Sequence, residues 1–170
     1  MTSLKNRLTL TGFIIEKAGK RGCLMFSNEE NGNASKILVV DDEQDIVIII
    51  GKVLEKSGYE VITANDGLEC LDKVSEESPD LILLDNIMPN MNGPAVLSKL
   101  KASKKTADIP VIMVTVLADR EYIVGAQEGG AVEYIIKPFD YTVLLEKIAQ
   151  VLKSKQKRKE SFCLFLDAKA

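Results

Sequence analysis

The chain has 170 residues, of which 46% are hydrophobic and 28% are charged, a composition that is typical of a globular domain with a proper core. It contains no histidine and no tryptophan, and its three cysteines are far apart in the sequence. Histidine-based acid–base chemistry and most zinc sites are therefore excluded, and a disulfide framework is not predicted. Carboxylates, lysines and hydroxyls remain as the reactive groups.

Charge is distributed unevenly along the chain. Acidic groups outnumber basic groups in residues 35–152, whereas the segments 1–34 and 153–170 are both basic. An acidic body with basic ends is not typical of a nucleic-acid-binding domain, so no nucleic-acid partner is predicted. No stretch approaches the roughly 20 apolar residues of a membrane span, and no secretory signal sequence is recognised. We therefore expect a cytoplasmic protein.

The two ends differ from the rest of the chain. Residues 1–34 have short apolar clusters separated by glycines and basic residues, followed by an asparagine-rich polar run. This segment is predicted to be an extension whose second half is a linker, and the first half either docks on the domain or is disordered. Residues 154–170 are predicted to be a basic tail, the solvated end of the last helix. The folded domain is expected to be residues 35–153.

Within this domain, short apolar runs alternate with segments of helical periodicity. Five strands alternating with five helices predict an α/β fold, a doubly wound five-stranded parallel sheet with five flanking helices. Strands are predicted at 37–40, 59–64, 81–84, 109–114 and 131–136, and helices at about 43–56, 66–77, 94–103, 119–128 and 140–153. The apolar residues predicted to face the core from the first, second and last helices are Ile46, Ile49, Ile50, Val53 and Leu54; Leu68, Leu71 and Val74; and Val143, Leu144, Ile148 and Val151.

Polar residues follow four of the five predicted strands. They are Asp41 and Asp42 after the first strand, Asp85 after the third, Thr115 after the fourth and Lys137 after the fifth. In the strand order 2-1-3-4-5, the first and third strands are neighbours at the switch point of the sheet. We therefore expect these side chains to converge at one edge.

This convergence predicts phosphoryl chemistry. Clustered carboxylates repel one another, and a hard cation such as Mg²⁺, which prefers one or two carboxylates plus waters, relieves the repulsion. A phosphoryl group on Asp85 would have Mg²⁺, the Lys137 ammonium and the Thr115 hydroxyl around its oxygens. Asp85 is therefore the candidate nucleophile, which would form an acyl phosphate.

Residues 36–153 resemble the receiver domain of two-component response regulators, in its single-domain, chemotaxis-protein-Y-like form. The motifs that carry the resemblance are Ile-Leu-Val-Val-Asp-Asp-Glu at 37–43, Asp-Leu-Ile-Leu-Leu-Asp at 80–85, Met-Pro-Asn-Met-Asn-Gly at 88–93, Val-Thr at 114–115, Gly-Ala at 130–131 and Tyr-Ile-Ile-Lys-Pro-Phe at 134–139. They cover about two-thirds of the chain.

The resemblance implies a role for each residue of the converging set. Asp85 would be the phosphoacceptor and Lys137 would contact the phosphoryl group. Asp42 and Asp85 would bind Mg²⁺ together with the backbone carbonyl of Ile87, and Asp41 would act through water. The implied phosphoryl donor is a histidine kinase or a histidine phosphotransfer protein.

The resemblance also implies an output mechanism. Thr115 and Tyr134 would be the paired switch residues, and the Lys137–Pro138 bond would be a cis peptide. The signal would leave through contacts with a downstream protein effector, and the chain would not be an enzyme in the ordinary sense.

Two surfaces are candidates for partner docking. On the first helix, Val47 and Ile48 are predicted to face away from the core, where they either dock a phosphodonor or are covered by the 1–34 extension. The family's usual output face would include Arg120, Tyr122 and Lys147.

Two apolar residues near the site bear on phosphoryl lifetime. Ile87 and Leu117 lie two residues after the implied phosphoacceptor and switch threonine, where family members can carry polar side chains that orient a hydrolytic water. We therefore expect slow loss of the phosphoryl group. The alternative functions are an unphosphorylated pseudo-receiver scaffold or a Mg²⁺-dependent phosphohydrolase; a flavodoxin-like flavin carrier is disfavoured because Asp41, Asp42 and Glu43 would repel the flavin phosphate.

Overall fold

The computed structural model describes residues 7–10, 13–18, 23–27, 34–116 and 120–167, with the side chains of 34–116 and 124–158. Ahead of the domain, three strands form an antiparallel sheet in the order β1-β2-β3: β1 (Arg7–Leu10), β2 (Phe13–Ala18) and β3 (Cys23–Ser27). The sequence did not predict these strands. The division of the chain into an extension, a domain and a tail stays a prediction.

The domain alternates strictly between strand and helix. Its elements are β4 (Lys36–Val40), α1 (Gln44–Lys56), β5 (Glu60–Ala64), α2 (Gly67–Glu77), β6 (Leu81–Asp85), α3 (Gly93–Ala102), β7 (Val111–Thr115), α4 (Arg120–Glu128), β8 (Glu133–Ile136) and α5 (Tyr141–Asp167).

All strands of the domain pair in parallel, in the order β5-β4-β6-β7-β8. This is the predicted order 2-1-3-4-5, so the predicted fold class is confirmed. In the register, Val40 of β4 lies opposite Leu84, and Asp85 lies opposite Val114. Thr115, which ends β7, lies opposite Ile136. The residues that end or follow β4, β6, β7 and β8 therefore lie at the same edge.

Both faces of the sheet are covered, which explains why its strands are almost continuously apolar. Alternate residues of each strand pack on opposite faces. The side covered by α2 and α3 contains Leu38, Ile82, Leu84, Met113, Cys70, Val74, Val96 and Leu100. The side covered by α1 and α5 contains Ile37, Leu83, Ile112, Ile50, Leu54, Leu144 and Ile148.

The predicted inward face of α1 was wrong by one residue. Val47, predicted to be exposed, is buried, whereas Ile49, predicted to be in the core, is 45% exposed. The buried stripe runs through Val47, Ile50, Gly51 and Leu54. Gly51 belongs to this stripe, and hydrophobic periodicity gives no weight to a glycine. A Cβ at Gly51 would lie 3.7 Å from Val61, which is an ordinary van der Waals distance.

Two further core predictions were also wrong. Leu68 is 51% exposed because the preceding glycine, Gly67, takes the buried position at the start of α2. Val143 is 43% exposed, since the buried stripe of α5 runs through Leu144, Ile148 and Leu152.

The last helix is longer than predicted. It does not end near residue 153 but continues to Asp167. Lys155 on this continuation donates a hydrogen bond of 2.8 Å to the carbonyl oxygen of Asp80, at the sheet edge opposite the predicted site. Within the described part of the chain, no helix is long and apolar enough to cross a membrane.

Candidate functional site

Three charged side chains meet at the carboxyl edge of the sheet. Lys137, after β8, places its Nζ 2.5 Å from Asp41 Oδ2 and 2.8 Å from Asp85 Oδ1. All three are removed from solvent: the side chains are 10%, 3% and 8% exposed, respectively. The ammonium therefore bridges two carboxylates that come from neighbouring strands.

The second oxygen of each carboxylate is fixed by the backbone. The amide of Glu43 donates to Asp41 Oδ1 at 3.0 Å, and the amide of Ile87 donates to Asp85 Oδ2 at 2.7 Å. Each carboxylate is therefore held by one ammonium and by an amide two residues further along its own loop. These contacts determine the orientation of both groups.

Burial and the ion pairs act in opposite directions on the protonation of this cluster. Burial raises the pKa of Asp85, and this outweighs the effects of Lys137 and the Ile87 amide, which lower it. For Lys137, burial is the largest single influence and lowers the pKa, but the hydrogen bonds to Asp41 and Asp85 and the negative charges of these groups together outweigh it. The pKa of Lys137 is therefore raised, which keeps the ammonium charged.

The other predicted site residues lie around this cluster. Thr115 is completely buried at the end of β7. Its backbone carbonyl oxygen accepts a 2.7 Å hydrogen bond from the backbone amide of Lys137. Asp42 is exposed beside Asp41. Tyr134 is half-buried and packs against the core on the α2 and α3 side. The predicted cis peptide between Lys137 and Pro138 is present.

The loop between β6 and α3 forms one side of the site. Its Ile87 side chain is 55% exposed, and Val116 after β7 is 60% exposed. Leu117 lies outside the described residues. Gly93 closes the loop tightly, because its amide donates to the carbonyl of Asn86, and a Cβ there would lie 2.2 Å from the carbonyl oxygen of Asp85.

Sequence reasoning did not single out Gly93 as part of the site. The signal was present in the motif at 88–93, which was used only for the resemblance. A pattern of apolar and polar residues describes which side chains are present, whereas the structure requires that residue 93 has no side chain. Such a requirement becomes visible only when the two backbones are placed together.

The donor set fits a hard cation. In the part of the chain that the structure describes, no three acidic or cysteine side chains come close enough to form a metal cage of their own. Mg²⁺ does not need such a cage, since it usually keeps several waters and one or two carboxylates. The oxygens of Asp41 and Asp85, with Asp42 exposed next to them, are donors of this kind, and the burial of Asp85 is a cost that a cation would offset.

The predicted docking residues have different outcomes. Val47 is buried and is not available to a partner, whereas Ile48 is 51% exposed. Lys147 forms an ion pair with Glu133 at 3.0 Å. The side chains of Arg120 and Tyr122 lie outside the described residues.

A doubly wound parallel sheet with an Asp–Lys–Asp cluster at its carboxyl edge is the arrangement that was expected of a receiver domain. Residues 37–149 match the family model described as "Response regulator receiver domain". This match covers more than half of the chain. The protein therefore belongs to the response regulator receiver family, whose members are signalling proteins.

Individual relatives agree with this assignment. Sporulation initiation phosphotransferase F of Bacillus subtilis is 37% identical over 117 residues, which are 69% of this chain and 93% of that protein. The alkaline phosphatase synthesis transcriptional regulatory protein PhoP of the same organism is 41% identical over 118 residues, or 69% of this chain and 48% of that protein. A CheY-like receiver domain of Methanospirillum hungatei has a TM-score of 0.70 at 36% identity, covering 74% of this chain and 99% of that one.

The relatives fall into two sizes. The chain spans about half the length of the first curated relatives that it matches, such as the "Probable transcriptional regulator ycf27" of Cyanophora paradoxa, of which 49% is covered. It spans nearly all of the sporulation phosphotransferase and of the CheY-like structure. Similarity therefore extends over the receiver domain in both groups.

Proposed function

We propose that this chain is a phosphoacceptor switch in which Asp85 receives a phosphoryl group from a histidine kinase or a histidine phosphotransfer protein. A carboxylate oxygen of Asp85 attacks phosphorus, and the phosphorus–nitrogen bond to the donor imidazole breaks. The electron pair stays on the imidazole nitrogen, and the product is an acyl phosphate. The observation that carries this proposal is the bridge from Lys137 to Asp41 and Asp85 at the carboxyl edge of the sheet.

Lys137 has a defined part in this reaction. Its raised pKa keeps a positive charge beside the reacting carboxylate, where negative charge increases as the phosphoryl group arrives. Thr115 is buried at the end of the neighbouring strand, and its hydroxyl would be the second group to contact a phosphoryl oxygen. Transfer of Lys137 from a carboxylate to the phosphoryl group would change the contacts that hold the 137–140 loop.

Receiver domains generally bind Mg²⁺ at the phosphorylation site, and the donor set of this chain fits the ion. Asp42, Asp85 and the Ile87 carbonyl would hold it, with Asp41 acting through water. The bound ion supplies charge neutralisation at the phosphoryl oxygens. Asp85 is oriented for this arrangement by the Ile87 amide, which fixes one of its two oxygens.

Output of the signal would use Tyr134 and the surface formed by α4, β8 and α5. Tyr134 is half-buried and packs against the core on the α2 and α3 side. A shift of Tyr134 as Thr115 follows the phosphoryl group would change the surface formed by α4, β8 and α5, which includes Arg120, Tyr122 and Lys147. A downstream effector protein would read that change.

The exposed Ile48 is the proposed contact with the phosphodonor. Ile48→Glu should slow transfer from a phosphorylated partner protein and leave the rate from acetyl phosphate unchanged, because acetyl phosphate needs no docking. The matched control is Leu68→Glu on α2, which is exposed to the same 51%. Equal slowing with both donors, or by both variants, would refute the docking role.

The proposal includes three finer assignments. The chain would act on its own, it would be located in the cytoplasm, and it would have no nucleic-acid partner. A relative in Synechocystis is named as a DNA-binding transcriptional regulator, and this chain spans 49% of it. The competing function is a scaffold that is never phosphorylated.

Intact mass spectrometry after incubation with acetyl phosphate and Mg²⁺ separates the switch from the scaffold. The wild type should gain one phosphoryl group and Asp85→Asn should gain none. Asp80→Asn is the matched control, since Asp80 precedes the same strand but lies at its opposite end. An adduct that persists in Asp85→Asn, or no adduct on the wild type, would overturn the assignment of Asp85.

A further inference from the structure

The loop that follows Asp85 is attached to a helix that takes no part in the proposed chemistry. Asn90, near the middle of the loop, donates a 3.0 Å hydrogen bond from its side-chain amide to Asp66 Oδ2. Asp66 immediately precedes α2 and caps it, since its other oxygen accepts hydrogen bonds from the amides of Leu68 and Glu69 at 2.8 and 2.9 Å. One carboxylate therefore caps a helix with one oxygen and holds the loop with the other.

Backbone geometry makes this contact specific. Asn90 has a φ of 62°, in the left-handed region that asparagine adopts more readily than most residues. The next loop residue, Met91, lies against the first turn of α2 so closely that a Cβ on Gly67 would be 2.5 Å from its carbonyl oxygen. The loop and the helix are thus in contact through backbone, and the Asn90 side chain is the polar link between them.

The opposite end of the same loop touches the reacting group. The Ile87 amide donates to Asp85 Oδ2 at 2.7 Å, and the Ile87 carbonyl is a proposed Mg²⁺ ligand. The Ile87 side chain is mostly exposed, although Asn86 and Met88 on either side of it are buried. Beyond Met88, the loop is held by the link from Asn90 to Asp66 and by the Gly93 contact with Asn86.

We propose that the Asn90–Asp66 hydrogen bond is a positioning contact that holds the 86–92 loop so that the Ile87 amide orients Asp85 and the Ile87 carbonyl meets the cation. The part of this inference that concerns Mg²⁺ rests on the proposed function. The part that concerns the Ile87 amide does not. Asp66 and Asn90 are positioning residues, since neither touches the reacting atoms.

Two variants remove the link with little other change. Asn90→Gly keeps the left-handed backbone, which glycine adopts without strain. Asp66→Ser keeps the helix cap, because serine is an equivalent capping residue, but it has no second oxygen for Asn90. The matched control is Glu69→Gln, which removes a negative charge from the same helix turn. Glu69 accepts hydrogen bonds only from Asn65 among its described contacts and does not touch the loop.

The first measurement is amide hydrogen exchange of Ile87 by nuclear magnetic resonance without Mg²⁺. We expect faster exchange in Asn90→Gly and Asp66→Ser, by about 10-fold, and no change in Glu69→Gln. The second measurement is the Mg²⁺ dissociation constant, which should rise by about 3- to 10-fold. This rise is at or below the ~10- to 100-fold loss of metal affinity that follows mutation of a residue bonded directly to a metal-ligating group. The double variant should be no worse than either single variant, because both remove the same contact.

The outcomes separate the two proposals. Unchanged Ile87 exchange in both variants, an equal effect of Glu69→Gln, or additive effects in the double variant would overturn the positioning inference. If Ile87 exchange responds as expected but the wild type binds no Mg²⁺ and accepts no phosphoryl group, the positioning contact stands and the proposed function fails.

Discussion

Replacing Lys137 by methionine tests how far the charge cluster depends on its single ammonium. The substitution keeps most of the side-chain volume and leaves the Asp41 and Asp85 side chains, which are 3% and 8% exposed, without their shared cation. Removing one partner of a buried ion pair costs about 3–5 kcal/mol, because the remaining charge is uncompensated. Since the cluster lies at the edge of the sheet, where water can partly solvate it, we expect the lower end, about 3 kcal/mol.

The chain contains a matched control for this experiment. Lys36 also bridges two carboxylates, with its Nζ 3.0 Å from Glu77 and 3.4 Å from Glu60, but those side chains are 42% and 56% exposed. Exposed pairs contribute about 0–1 kcal/mol, so Lys36→Met should have only a small effect. The two variants differ mainly in the burial of the charges that they leave unpaired.

Urea denaturation in Mg²⁺-free buffer at pH 7 and pH 5 measures the effect. The loss in Lys137→Met should be smaller at pH 5, because burial raises the pKa of Asp85 and protonation of Asp85 removes one of the uncompensated charges. Adding Asp85→Asn to Lys137→Met should restore part of the stability for the same reason. The reasoning is refuted if the Lys137 and Lys36 variants are destabilised equally, or if the loss in Lys137→Met does not depend on pH.

Three further predictions concern the same site. Gly93→Ala should destabilise the domain by about 3 kcal/mol or more in denaturant unfolding, because its Cβ would meet backbone at 2.2 Å. Gly125→Ala, whose Cβ would have nothing within 4 Å, should be neutral or stabilising by up to about 1 kcal/mol. Asp85→Asn should raise the melting temperature at neutral pH without Mg²⁺, because burial raises the pKa of Asp85 and makes its ionised form unfavourable in the folded state. The contribution of Asp85 to stability is present below its unfolded-state pKa of about 3.9 and is lost as the pH rises through its pKa in the folded protein. The gain should therefore shrink on acidification, and a gain that is constant between pH 4 and pH 8 would contradict the assignment. Finally, the phosphorylated protein should lose its phosphoryl group slowly, since Ile87 and Leu117 supply no polar group for water; decay within seconds in Mg²⁺ buffer, or no acceleration in Ile87→Asn, would show that this reasoning is wrong.

Much of the fold could be predicted because its physical signals are local. Buried strands are short apolar runs, and four of the five stop where one of the polar site residues reaches the sheet edge. The convergence of Asp41, Asp85 and Lys137 followed from strand order alone, and the structure brings these three together. The strand order thus predicts which residues that are distant in the sequence lie close together in the structure.

The features that were missed depend on buried glycines or on contacts between distant segments. Gly51 and Gly67 occupy buried helix positions that an apolar pattern assigns to neighbouring side chains, so the inward faces of α1 and α2 were misjudged. The link from Asn90 to Asp66 joins residues 24 apart in the sequence, and neither carries a signal by itself. The continuation of α5 has few apolar residues in its first part, so its periodicity is weak there.

The length of α5 has a practical consequence for anyone who labels this protein. The helix starts four residues after Lys137 and is held at the opposite edge of the sheet by Lys155. About 12 helical residues follow Lys155, equivalent to roughly 18 Å of rise. A fluorescent protein fused directly to this helix would share its axis, so its orientation would report tilting of α5, whereas a glycine-rich spacer would average that information away.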